Sequence, residues 1–213
     1  LGAGGGDGFY ASPFGWRIER YGFGPAPRRF RAMLRIDYAD GSHDWVTTGP
    51  DWKIAPSPIL KSEIYDGEIF DARRIVPGWA LPGFDASGWA DAKVGAAPNA
   101  KLIAHTSPLL ERNGVCRAVS VSEPVPGRFV FDFGQNFPGW VRIRATGPAG
   151  TAITAKFAEL LNPDGTADLS NLRLAKATDR FVLAGTGGAE SFEPHFTYHG
   201  FRYVEVEGYP GTP

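Results

Sequence analysis

The stretch that decides the fold is Phe129–Ile143, F-V-F-D-F-G-Q-N-F-P-G-W-V-R-I. Phe129, Phe131 and Phe133 alternate with Val130 and Asp132, so an extended chain puts three aromatic rings on one face. Gly134 breaks the run, Gln135 and Asn136 offer amides, and Pro138-Gly139 reads as a turn before a second strand at Trp140–Ile143. The reading is two β-strands joined by a polar corner, with Gln135 and Asn136 tying it by amide hydrogen bonds. The corner holds no nucleophile and no acid–base pair, so chemistry has to be sought elsewhere.

The same punctuation runs along the chain. Gly (28) and Pro (18) are spread through 213 residues rather than gathered in one tract, and strand-like runs recur between them. That distribution predicts an all-β protein of two consecutive β-sandwich domains. Residues 95–108 make the best linker, which places one domain at 1–105 and a second at 106–213. In the first, residues 1–27 form an irregular lead-in with aromatic anchors, and Phe30–Tyr38 alternates as a half-buried strand. Asp40-Gly41 is a hairpin turn, and Asp44–Thr48 is the returning strand. In the second, strands are predicted at Val115–Val121, Thr151–Glu159, Thr178–Leu183 and Phe201–Glu207, with turns at Asn162–Gly165 and Gly185–Gly188.

Composition narrows the function. A net charge of −1 lacks the basic surplus that nucleic-acid phosphates require. No apolar run approaches the roughly 20 residues of a membrane span, so the reading is a soluble chain, cytoplasmic or secreted, with neither partner. Cys116 is the single cysteine, has no metal-site companions, and sits in a strand-like pattern as a buried, inert thiol. No P-loop, dinucleotide fingerprint or nucleophile elbow occurs. His195 and His199 are four apart, but Phe196, Tyr198 and Phe201 argue for strands, and structural histidines, rather than a helical zinc site.

The candidate site is the acidic stretch 59–74, where Glu63, Asp66, Glu68 and Asp71 fall around Asp66-Gly67. In a strand–turn–strand geometry, Asp66, Glu68 and Asp71 share a rim, and such neighbours repel unless something offsets their charge. Arg73 and Arg74 supply that offset as salt bridges; calcium held by Asp66 and Asp71 is a second solution, and sugar hydroxyls are a third. Trp79 and Trp89, in the turn-rich loop that follows, suit stacking on a sugar ring as well as closing a sandwich edge.

Five stretches then share an order and spacing: D-W-K-I-A-P-S-P-I (51–59), I-Y-D-G-E-I-F-D-A-R (64–73), F-D-F-G-Q-N-F-P-G-W-V-R-I (131–143), A-E-L-L-N-P-D-G (158–165) and H-G-F-R-Y-V-E-V-E-G-Y-P-G (199–211). Together they resemble the N-terminal β-rich half of bacterial α-L-rhamnosidases, inverting glycoside hydrolases whose catalytic domain is a helical toroid. The resemblance implies a jelly-roll-like first module, incomplete at its start, that in some members binds rhamnose with calcium. It implies a second sandwich next to a toroid that is absent here and holds the catalytic carboxylates, so no residue of this chain inherits a catalytic role. The implied partners are a rhamnose-containing glycan and that toroid, and the implied contacts are Asp66, Glu68, Asp71, Arg73, Trp79 and Trp89, with Ca2+ as the cofactor.

Overall fold

The computed structural model describes residues 30–96, 101, 103–104 and 106–213. The aromatic lead-in at 1–27 and part of the linker at 95–108 lie outside them. The strands are β1 (Met33–Asp37), β2 (His43–Thr47), β3 (Lys53–Ile54), β4 (Ile59–Glu63), β5 (Gly67–Asp71) and β6 (Ala90–Asp91). They continue as β7 (Ser120–Val125), β8 (Arg128–Gly139), β9 (Ile143–Ala145), β10 (Ala152–Ala158) and β11 (Leu160–Leu161). The last are β12 (Ala167–Asp168), β13 (Thr178–Val182), β14 (Glu190–Phe192) and β15 (His199–Glu207), and only two short 3-10 turns interrupt the described all-β chain. Among the described residues, no helix is long and apolar enough to cross a membrane.

The chain divides into two compact units, and the division is not linear. Of the described residues, one holds 57–77 and 116–213, and the other holds those within 30–56 and 78–115. The sequence places 57–77 in the first module. The structure puts that segment with the second half, because β5 pairs in parallel with β13 through Arg180↔Ile69, Phe181↔Phe70 and Val182↔Asp71.

The larger unit is built on a seven-stranded sheet of order β4-β5-β13-β10-β15-β8-β7. Period-two alternation sends Ile153, Ala155 and Phe157 of β10 to the core face, beside Phe181, Val204 and Val206. The β9–β14 ribbon adds Ile143, Ala145 and Phe192 to the same core. Phe157, Phe181 and Phe201 are fully buried, each contributing roughly 1.5–3 kcal/mol of transfer free energy. On the opposite face, Lys156 pairs with Glu207 at 2.7 Å, and buried Glu205 accepts the Ala167 N–H at 2.9 Å, which fastens the β11–β12 hairpin to the sheet.

The opening stretch behaves differently from its reading. The expected corner is absent: β8 continues to Gly139 and pairs with β15 on both sides of an irregularity. Register holds at Phe137↔Phe201 and at Asp132↔Tyr203, so residues 133–136 stand opposite Arg202 alone. This is an extended β-bulge. Gly134 takes φ +78° within it. Asp132 pins it by accepting the Gly134 N–H (2.7 Å) and both Nε and Nη2 of Arg202 (2.8 Å each). Asn136 donates to Glu159 at 3.0 Å, while Gln135 is exposed. The same bulge resets the alternation of β15. Phe201, Val204 and Val206 share the core, whereas the sequence pattern groups Phe201 with Tyr203 and Glu205.

Two other expectations change. Strand β7 starts at Ser120, and Cys116 precedes it as an exposed residue, not a buried thiol. In the smaller unit, the β1–β2 hairpin forms across Asp40-Gly41, with Gly41 at φ +85°. All five β1 residues are exposed, rather than half of them buried.

Candidate functional site

The acidic stretch folds as the expected hairpin. β4 and β5 pair antiparallel, and Glu63 holds the turn by accepting the backbone N–H groups of Tyr65 (2.9 Å) and Asp66 (2.6 Å). Burial raises the Glu63 carboxyl above its ordinary value despite those donors. Gly67 has φ +104°, and a Cβ there would lie 2.2 Å from the Thr178 carbonyl oxygen. Only glycine fits this close approach of hairpin and sheet.

The four hairpin candidates have separate tasks. Asp66 pairs with Lys61 at 2.5 Å and Lys176 at 3.6 Å. Asp71 grips Arg73 with both oxygens, at 2.9 Å to Nε and 2.8 Å to Nη2. That hydrogen-bonded guanidinium holds Asp71 below the usual carboxylate range. Glu68 points into the core face and is fully buried. Its Oε2 accepts from Ser62 Oγ (3.0 Å), His195 N (3.0 Å) and Phe196 N (3.3 Å), while His195 Nδ1 lies 2.8 Å from Oε1. The Glu68 backbone N–H reaches Asp179 Oδ1 at 2.8 Å, and His199 Nε2 approaches the same oxygen at 3.2 Å.

The result is a buried polar network on the core face, spanning β4, β5, β13, β15 and the loop before β15. Within it, Asp179 Oδ2 is buried without a hydrogen-bond partner, as is Thr197 Oγ1 in the loop before β15. The histidines are structural, as their neighbours in sequence suggested. His199 stacks on Phe157 at 4.1 Å, and His195 stacks on Phe70 at 5.6 Å. Hydrogen bonding to Glu68 raises the His195 pKa, against the opposing effect of its partial burial. Asp179 and Ser62 were not anticipated as members. The signal for Asp179 lies in the spacing that Glu68-x-Phe70, Asp179-x-Phe181 and His199-x-Phe201 share, where a polar group sits two residues from a core aromatic and so shares its face; Ser62 has no such neighbour.

The calcium expectation does not fit this geometry. Asp66 and Asp71 flank β5 at a strand separation of about 16 Å, and each is already matched by a cationic side chain. Calcium takes roughly six to eight oxygens, and among the described residues no group of three or more acidic, histidine or cysteine side chains can hold a metal. Trp79 and Trp89 belong to the other unit. Trp79 is 43% exposed, whereas Trp89 is half-buried with its ring 5.3 Å from that of Phe84.

The fold is that of an all-β, sandwich-like protein whose conspicuous polar cluster is locked in its core. Residues 1–113 match the α-L-rhamnosidase N-terminal domain, and residues 122–213 match the bacterial α-L-rhamnosidase concanavalin-like domain. The chain belongs to the α-L-rhamnosidase family, to its N-terminal, non-catalytic region. It is 44% identical to an α-L-rhamnosidase of Streptomyces avermitilis over 96% of this chain and 20% of that relative. The crystal structure of the S. avermitilis enzyme complexed with L-rhamnose superposes with a TM-score of 0.81 at 45% identity, covering 86% of this chain and 18% of that one. The native enzyme of Aspergillus terreus gives a TM-score of 0.79 at 40% identity, covering 86% and 21%. This chain thus spans about a fifth of the length of the relatives it matches.

Proposed function

We propose that this chain is the β-sandwich portion of an α-L-rhamnosidase and supports the removal of terminal α-L-rhamnose by a helical toroid outside it. The carrying observation is the tandem match of two non-catalytic domains along the chain, at 1–113 and 122–213. The site geometry agrees with that role. Its carboxylates are either sealed in the core (Glu68, Asp179) or spent on ion pairs (Asp66, Asp71), so none stands as a general acid or base facing a cleft. The test is incubation of the isolated chain with an aryl α-L-rhamnoside, where no aryl alcohol is expected. Turnover that copurifies with the chain and disappears in Asp66→Asn or Glu68→Gln would overturn the proposal.

A second role, carbohydrate capture, is favoured by the exposure of Trp79. An exposed indole face stacks on the C–H face of a pyranose, and Trp79 and Trp89 are the candidates for that contact. Asp66, Glu68, Asp71 and Arg73 then act as structural supports of the hairpin. Calorimetric titration with L-rhamnose decides it: heat that is lost in Trp79→Ala and unaffected by EDTA supports capture, and absence of heat at millimolar sugar removes it.

A further inference from the structure

The hairpin 57–77 occupies a particular place in the chain. It is continuous at both ends with the smaller unit, 30–56 before it and 78–115 after it, yet its strands belong to the larger unit's sheet. Its backbone hold on that sheet is short: three parallel residue pairs with β13, and bonds from Lys176, Ala177 and Thr178 to the Tyr65 and Asp66 carbonyls. Phe70 packs on Phe181 and Phe192, Asp66 pairs with Lys176 at 3.6 Å, and Glu68 adds a buried polar tie. It joins β5 to the segment between β14 and β15 through three of its four donors, which come from His195 and Phe196.

We propose that the Glu68–His195 pair is a pH-operated latch, closed when the imidazole is protonated, that fastens the β4–β5 hairpin to the loop preceding β15. Glu68 is fully buried, so a charged partner matters to it more than to a surface carboxylate. His195 is 48% exposed and therefore exchanges its proton directly with solvent. The charged groups bearing on the imidazole are Glu68 from β5 and Glu193 from its own loop, both favouring protonation. Around Glu68 stand Ser62 from β4, Asp179 from β13 through the Glu68 backbone, and His199 from β15 through Asp179. Because the folded pKa of His195 is raised, its stabilisation is complete below the ordinary imidazole value of 6.5. It is lost as pH rises through the raised value.

The test is hydrogen exchange on the whole chain at pH 5.5 and 8.5, as protection factors corrected for intrinsic rates, with His195 titrated by NMR. Protection of the β5 amides is expected to fall roughly threefold to tenfold between the two pH values, with the β10–β15 centre unchanged. His195→Gln is expected to abolish the pH dependence, and His195→Lys, cationic at both pH values, to keep the hairpin protected at pH 8.5. The proposal is overturned if β5 and the centre lose protection together, if wild type and His195→Gln respond alike, or if His195 titrates at or below the ordinary value. Should His195→Gln not fold, the wild-type titration and His195→Lys still decide the matter.

Discussion

The two units use comparable strand signals to different ends. In β10, alternation buries Ile153, Ala155 and Phe157 completely. In β1, the alternation of Leu34 and Ile36 with Arg35 and Asp37 is just as regular, yet no described residue of the smaller unit is buried. The difference is the number of partners. β10 has a strand on each side, and its core face meets the β9–β14 ribbon; β1 pairs only with β2 in a two-stranded sheet. A hairpin alone has too little surface to enclose its own apolar face, whatever its pattern.

Substitutions sharpen that contrast. The largest effect is expected from Phe157→Ala, which removes a ring packed on Phe201 and His199. It should cost about 3–5 kcal/mol in urea unfolding. Met33→Ala, at 63% exposure in β1, should stay within about 0.5 kcal/mol. Equal losses would erase the distinction between the units.

Next comes a pair of glycines. Gly41→Ala meets open space and bears only the left-handed backbone cost of about 1–2 kcal/mol. Gly67→Ala adds a collision with the Thr178 carbonyl, so its unfolding midpoint should fall well below that of Gly41→Ala.

A smaller effect is expected from Asp132→Asn, which weakens the pin of the β8 bulge. Hydrogen bonding from Arg202 holds the Asp132 carboxyl below its ordinary value. Its contribution is present above the unfolded carboxylate pKa and is lost as pH falls through the depressed value. Wild type and variant should therefore differ at neutral pH and converge in acid. The smallest effect belongs to Arg35→Ala in the smaller unit. It breaks an exposed pair with Asp37 and should cost about 0–1 kcal/mol, fading with added salt.

Much of this was legible in the residues. The all-β class followed from alternation and Gly/Pro punctuation. The Asp40-Gly41 and Asp66-Gly67 turns were set by local chemistry, since glycine there takes positive φ at little cost. The family was readable from five stretches whose spacing survives along the chain. The β8 bulge was not, because a run containing Gly, Gln, Asn and Pro looks the same to local rules whether it turns a corner or leans outward from a continuing strand. Arg202, seventy residues away, decides between the two.

The candidate site divides along the same line. The sequence by itself determined that four carboxylates crowd one hairpin and that Arg73 is near enough to answer Asp71. Tertiary structure alone decided which of them faces inward. Glu68 is buried because β5 docks in parallel on β13 and brings it against Asp179 and His195, while β4 supplies Ser62, so its partners come from three separate segments of chain. Alternation predicts which residues share a face, but the side that face turns to depends on long-range pairing, and pairing is a property of the assembled sheet.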